Sequence, residues 1–334
     1  MTAVSVLGAG SWGTALALLI ARNGHPTVLW GHHAEHMAKL GASRCNERYL
    51  PGARFPDNLR IVADLAEAVR SAEILIVAVP SHAFRSILTS LAPYLRPETR
   101  IAWATKGLEL QSGKLLHQVT EDVLGSNIPA AVLSGPSFAR DLAANLPTAI
   151  TVASRQAEFA KTLAELLHNN RFRAYTTDDI IGVQLGGATK NVLAIAAGVA
   201  DGLDFGANSR AALITRGLTE MMRLGLALGG KPETFMGLAG VGDLILTCTD
   251  NQSRNRRFGL GLGKGIPREQ ITAEIGQEIE GVLTTKIIYQ LAQNLGIEMP
   301  ITEQTYKILY EGLSPLEAVN NLLLREQKAE AMDC

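Results

Sequence analysis

Val4-Ser5-Val6-Leu7-Gly8-Ala9-Gly10-Ser11-Trp12-Gly13, followed by an alanine- and leucine-rich run from Thr14 to Arg22, decides the fold. The first four residues read as a short buried strand and the later run as a helix. The glycines therefore occupy a strand-to-helix turn. A GxGxxG pattern alone is common, but in this setting, at the start of the chain, it predicts a dinucleotide-binding unit. Gly8 allows the tight turn, Gly10 lets the backbone approach a pyrophosphate, and Gly13 lets helix pack on strand. Ser11 and Trp12 then sit at a helix N-terminus, whose N–H groups and partial positive charge suit phosphate.

A second strand, Thr27–Trp30, ends in Gly31-His32-His33. Sites selective for NAD place an acid here to bind the ribose 2′-hydroxyl. No acid occurs before Glu35, so a 2′-phosphate meets no repulsion, and His32 and His33 could donate hydrogen bonds to it. NADP(H) is therefore expected to be accepted, alongside NAD(H).

Apolar strands at residues 74–79, 101–105, 131–133, 149–153 and 172–176 alternate with helical patterns around 64–70, 82–91, 113–124 and 156–167. That alternation predicts an α/β fold with a mostly parallel, Rossmann-like doubly wound sheet. Ligands of such sheets bind beyond the carboxyl ends of the strands. Two strand ends carry unusual chemistry: Lys106-Gly107-Leu108-Glu109 and Ser134-Gly135-Pro136-Ser137-Phe138-Ala139.

Residues 178–202 predict one long helix. Between 180 and 200 every side chain is apolar, small or uncharged except Lys190. Thr177 and Asp178 are candidate caps, and a helix apolar on nearly all sides belongs in an interior. Gly186 and Gly187 lie one turn before Lys190 and Ala194 one turn after, and these small side chains leave room for something to come close to the amine. A buried ammonium needs an anionic partner or a lowered pKa. A structural ion pair, or a lysine whose head reaches water, fits the same pattern.

Beyond this helix strand signals fade. Helices are expected at 207–228, with Asn208 or Ser209 as cap, and at 284–295, 303–310 and 315–325. The last opens on the capping box Ser314-Pro315-Leu316-Glu317, and a polar tail follows Arg325. The chain thus divides into residues 1–178, a dinucleotide-binding domain, and 179–334, an all-helical substrate-binding domain. In the second, a glycine-dense stretch ends in Asp243. Ser253, Arg254 and Asn255 offer hydroxyl, guanidinium and amide donors for one phosphate. Arg256 and Arg257 are read as loop residues with Glu278 and Glu280 as partners.

The 31 basic and 32 acidic residues balance, which gives no field toward nucleic acid or acidic membranes. Cys45, Cys248 and Cys334 form no CxxC pair, as expected of reduced thiols in a cytoplasmic protein. No basic-then-apolar leader and no uninterrupted apolar run of about 18 residues suggests export or a membrane span. No metal-ligand spacing occurs, so a metal-free protein is expected.

Taken in order, the loop at 8–13, Lys106-Gly107-Leu108-Glu109, the 134–139 segment, Lys190-Asn191, Asp243, Ser253-Arg254-Asn255 and Glu280-Gly281 resemble bacterial NAD(P)-dependent sn-glycerol-3-phosphate dehydrogenase over essentially the whole chain. The resemblance implies reduction of dihydroxyacetone phosphate to sn-glycerol 3-phosphate, at the start of phospholipid synthesis. It implies Lys190 as the acid/base, and Lys106, Gly135, Ser137, Asp243, Ser253, Arg254 and Asn255 around the substrate. Ser11, Trp12, His32, His33, Lys106, Ala139, Arg254, Glu278 and Glu280 would line the coenzyme. An apolar helical domain is also compatible with a homodimer. Two rival readings share these features: a dehydrogenase of the same build acting on a 3-hydroxy acid, and a regulator that senses NAD(P) without chemistry.

Overall fold

The computed structural model describes residues 1–326; the expected loose tail lies outside them apart from Glu326, as does Cys334. The chain forms two compact units. One comprises residues 1–105 and 114–180, the other residues 106–113 and the chain from 181 onward.

The first unit carries strands β1 (Val4–Leu7), β2 (Thr27–Trp30), β3 (Cys45–Asn46), β4 (Leu50–Arg54), β5 (Leu59–Val62), β6 (Ile74–Val77), β7 (Arg100–Trp103), β8 (Ala130–Ser134), β9 (Thr148–Ala153) and β10 (Phe172–Thr177). Its helices are α1 (Ser11–Arg22), α2 (Ala34–Ser43), α3 (Leu65–Arg70), α4 (Phe84–Leu91), α5 (Leu116–Leu124), α6 (Ala139–Ala143) and α7 (Ala157–Leu167). Eight strands form one sheet in the order β10-β9-β8-β7-β6-β1-β2-β5. Its one antiparallel pair is β8 with β9. In β1, Val4 lies opposite Thr27 on one side and Ile74 on the other. Chain order reverses there, so the loops after β1 and β6 flank the topological switch point where such sheets bind ligands. β1 is buried throughout because helices cover both faces. Gly13 to Ala21 of α1 are buried, and Leu16, Leu18 and Ile20 join Val4, Val6 and Ile76 in the core. Each such side chain contributes roughly 1.5–3 kcal/mol relative to exposure.

Three elements of this unit differ from the sequence reading. The segment after β2 forms α2, the two-stranded hairpin β3–β4, and the edge strand β5. The hairpin contains Pro51 and Gly52, both poor in strands, and it buries only Leu50 and Ala53 of β4, so it lacks the apolar run that marks a core strand.

The second unit is helical: α8 (Ile180–Gly202), α9 (Gly206–Ala227), α10 (Pro232–Phe235), α11 (Asp243–Thr249), α12 (Arg254–Gly263), α13 (Arg268–Ile275), α14 (Glu280–Leu295), α15 (Pro300–Tyr310) and α16 (Pro315–Leu323). Among the described residues only α8 is long and apolar enough to cross a membrane by composition, but 89% of its apolar window is buried inside the protein. It is a core helix. Small residues let α12 approach it closely: a Cβ on Gly198 would lie 2.1 Å from the Arg256 carbonyl oxygen, and one on Gly259 would lie 2.0 Å from that of Ile195. This contact places the first turn of α12 beside Lys190 and Asn191.

Several expectations for this unit are corrected. At Gly186 what comes close is the protein's own backbone, since a Cβ there would lie 2.3 Å from the Ala239 carbonyl oxygen. α9 starts at Gly206 without a side-chain cap, so neither Asn208 nor Ser209 caps it. Residues 254–263 are a helix rather than a loop, with Ser253 as its N-cap. Arg256 pairs with Asp201, not with Glu278 or Glu280. The capping box at Ser314 and Glu317 is present.

Candidate active site

In the first unit the glycine turn sits at the switch point. Gly8 has φ +130°, and a Cβ there would lie 2.5 Å from the Ala78 carbonyl oxygen just beyond β6. Only glycine fits this position. A Cβ on Gly13 would lie 1.9 Å from the Gly8 carbonyl oxygen, whereas one on Gly10 would meet nothing within 4 Å. The turn is therefore packed on its inner side and open at Gly10, where α1 begins without a side-chain cap. Open N–H groups at a helix N-terminus fit a dinucleotide pyrophosphate. The Ser11 hydroxyl donates to the Tyr49 carbonyl at 2.7 Å. Trp12 is partly buried and its Nε1 is without a partner in the protein. Beyond β2 the His32 and His33 rings lie 3.7 Å apart, and burial together with His33 holds His32 below its ordinary pKa. His36 meets Tyr49 edge-on at 5.4 Å, and the Arg48 guanidinium lies 5.0 Å from the Tyr49 ring centre. Several basic groups thus gather at the position where an NAD-selective site carries an acid.

Also in this unit, Gly135 follows β8 with φ +146°; a Cβ there would lie 2.9 Å from the Ile150 Cα. The Ser137 hydroxyl donates to the Gly135 carbonyl at 3.0 Å, and Ala139 is the first residue of α6, which packs on α1.

In the second unit the amine cluster is built from three elements. Lys106 comes from the 106–113 segment, Lys190 from mid-α8, and Asp243 from the first turn of α11, just after a π-helical turn at Leu238–Gly242. Asp243 is fully buried. Its Oδ1 accepts from Lys190 Nζ and its Oδ2 from Lys106 Nζ, both at 2.7 Å. Lys190 also donates to the Thr247 hydroxyl at 2.8 Å, one turn along α11. Burial pushes the Lys190 pKa down to about 8; Asp243 resists that shift and Lys106 adds to it. For Asp243, burial favours the neutral acid, but Lys106 and Lys190 outweigh it and hold the carboxyl below its usual range. One buried carboxylate therefore serves two amines, and the more buried amine has its pKa lowered to about 8.

Beside this cluster α12 begins. Ser253 caps it by accepting from the Arg256 N–H at 3.2 Å. Asn255 donates to Asn191 Oδ1 at 2.9 Å and accepts from the Gly281 N–H at 2.9 Å. Arg254 donates to the Glu278 carbonyl at 2.8 Å. Burial lowers its pKa, while Glu280 and Glu278 oppose the shift, so these three residues gather at the start of α12 and α14. Thr247 and the Asn191 amide belong to the cluster although the sequence reading gave neither a role. Among the described residues no group of three or more His, Cys, Asp or Glu side chains is placed to hold a metal.

A doubly wound sheet opening on a glycine turn, with a helical unit that buries a lysine–aspartate–lysine cluster, is the build of a nucleotide-dependent dehydrogenase. The chain belongs to the NAD-dependent glycerol-3-phosphate dehydrogenase family. The model of that family's N-terminus matches residues 3–160 and that of its C-terminus residues 179–320. A glycerol-3-phosphate dehydrogenase [NAD(P)+] from Methylococcus capsulatus is 64% identical over 328 residues, covering 98% of each chain. One from Aeromonas hydrophila is 60% identical, again over 98% of each. The crystal structure of glycerol-3-phosphate dehydrogenase from Coxiella burnetii superposes with a TM-score of 0.94 at 52% identity, covering 97% of this chain and 99% of that one.

Proposed function

We propose that this protein catalyses the reversible NAD(P)H-dependent reduction of dihydroxyacetone phosphate to sn-glycerol 3-phosphate, as a cytoplasmic homodimer that supplies glycerol phosphate for phospholipid synthesis. Residues 1–178 form the dinucleotide-binding domain and residues 179–334 the main substrate-binding domain, with Lys106, Gly135 and Ser137 of the first also reaching the substrate and Arg254, Glu278 and Glu280 of the second the dinucleotide. The observation that carries the reading is the buried Lys190, held by Asp243 and Thr247 with Lys106 on the far carboxylate oxygen. The names of the relatives support it.

A bound reduced nicotinamide supplies the hydride. Lys190 in its ammonium form donates a proton to the ketone oxygen as negative charge develops there, and in the oxidative direction its neutral form takes the alcohol proton. A proton donor with a pKa near the working pH typically contributes about 10²–10⁴-fold. Asp243 and Thr247 fix the direction of the amine, and Lys106 offsets negative charge on the substrate. Gly135 and Ser137 offer a carbonyl and a hydroxyl to the substrate. Ser253, Arg254 and Asn255 bind its phosphate, chiefly through Arg254 and the N–H groups opening α12. The turn at Gly8, Gly10 and Gly13 holds the dinucleotide with Ser11, Trp12, His32, His33, Lys106, Ala139, Arg254, Glu278 and Glu280.

The direct test is coenzyme oxidation followed spectrophotometrically with dihydroxyacetone phosphate against 3-oxo acids. Turnover only with the acids would reject the substrate, and no turnover with any of them would favour a sensor. Arg254→Ala is expected to raise KM for dihydroxyacetone phosphate about 10- to 100-fold with a smaller change in kcat, since a charge-assisted hydrogen bond is worth about 1.5–3 kcal/mol. An unchanged KM would remove Arg254 from the phosphate site. Steady-state comparison of the two coenzymes is expected to show NADPH used at least as well as NADH, from the basic groups around His32 and His33. Strong preference for NADH would contradict this.

A further inference from the structure

We infer that Asn46 is a positioning residue for coenzyme binding, locking the glycine turn from behind through the β3–β4 hairpin. Its side chain is fully buried. One amide nitrogen donates both to the Ala9 carbonyl, at 3.0 Å, and to the Thr14 hydroxyl, at 2.8 Å. Ala9 lies inside the turn and Thr14 in the first turn of α1, so a single side chain ties the strand-to-helix corner at both ends. The Asn46 side-chain oxygen Oδ1 faces the Tyr49 N–H at 3.4 Å, and that N–H also donates to the Asn46 backbone carbonyl at 3.3 Å. The Tyr49 carbonyl in turn accepts the Ser11 hydroxyl.

The consequence follows from peptide geometry. A trans peptide plane points its C=O and its N–H in opposite directions. Drawing the Ala9 carbonyl toward Asn46 turns the Gly10 N–H the other way. Gly10 is where the turn is open, with no heavy atom within 4 Å of an added Cβ. Likewise, the Tyr49 carbonyl occupies the Ser11 hydroxyl and keeps it from folding back onto the N–H groups that open α1. Both bonds leave the N–H groups of the turn aimed at a phosphate before one arrives, and such preorganisation lowers the cost of binding. Asn46 acts through Ala9 and Thr14 rather than on substrate or coenzyme.

The inference rests on the coenzyme reading above, and the test separates the two. Equilibrium titrations of wild type and Asn46→Ala with NADPH and with NADH, followed by reduced-coenzyme fluorescence, are expected to give Kd values about tenfold weaker in the variant for both coenzymes. At saturating coenzyme, kcat and the KM for dihydroxyacetone phosphate should stay within about twofold, a split that general destabilisation would not produce. Equal Kd values in variant and wild type would overturn the role of Asn46 while leaving the coenzyme reading intact. Wild type that binds neither coenzyme would overturn both. Should Asn46→Ala fail to fold, Thr14→Val keeps the shape and the bond to Ala9 but removes the second anchor. It is expected to weaken both coenzymes about threefold, and unchanged Kd values there would also overturn the inference.

Discussion

Lys190→Ala is expected to lower kcat for dihydroxyacetone phosphate reduction by about 10²–10⁴-fold, while NADPH still binds with unchanged Kd. Neither group that holds the amine can replace its proton, because Asp243 is held ionised and the Thr247 hydroxyl is far too weak an acid. The variant should fold, since Asp243 keeps its bond to Lys106. The pH profile adds an independent readout. With the Lys190 pKa lowered to about 8, reduction needs the protonated form, so kcat/KM for reduction should fall as pH rises through about 8. Oxidation needs the neutral form, so kcat/KM for oxidation should rise over the same range. Both limbs should disappear in Lys190→Ala. Near-normal turnover, or limbs that persist without the amine, would remove Lys190 from the mechanism.

How far the site could be read from sequence depended on whether each group declares itself locally. Lys190 did, because a lone charge in a run of 21 residues leaves few bland explanations. The glycine turn did too, since strand, glycines and helix are contiguous. Strands β6 and β7 were legible because parallel strands inside a covered sheet are nearly continuously apolar. What stayed hidden was set by contacts distant in sequence. Thr247 lies one turn after Asp243, but it points to a role only once residues 243–249 are known to be helical. Their glycine-rich approach looked like a loop, and the π-helical turn that aims Asp243 has no simple sequence signature. Arg256 seemed free to pair with Glu278 or Glu280, yet the close packing of α8 on α12 carries it to Asp201. Gly186 marked a close approach without saying what approaches; here it is the backbone of Ala239. Asn46 sits in a weak two-residue strand, with nothing nearby in sequence to reveal that its amide reaches back to Ala9.

Asp243→Asn tests whether the cluster tunes the amine or only anchors it. The change keeps shape but replaces one of the two acceptor oxygens with an NH2 donor, and it removes the anion between two amines whose side chains are 9% exposed at Lys190 and 17% at Lys106. Asp243 raises the Lys190 pKa against burial and against Lys106. Without it both remaining influences act downward, so the pKa should fall below about 8. The reductive limb of kcat/KM should therefore move to more acid pH, and at pH 7 a smaller fraction of the amine would hold a proton to give. The variant should also lose about 3–5 kcal/mol of stability at neutral pH, the usual cost of breaking a buried pair by removing one partner. Asp243 has a depressed folded pKa, so in wild type its contribution is present above the unfolded carboxylate pKa and lost as pH falls through the folded value. In Asp243→Asn that acid dependence should be absent, and the stability difference between the two proteins should shrink on acidification. Denaturant unfolding at several pH values measures the second effect, and kcat/KM against pH the first. A limb that remains at about 8 with full turnover would mean that Asp243 does not tune Lys190. A stability gap constant with pH would mean that its charge plays no part in holding the two amines.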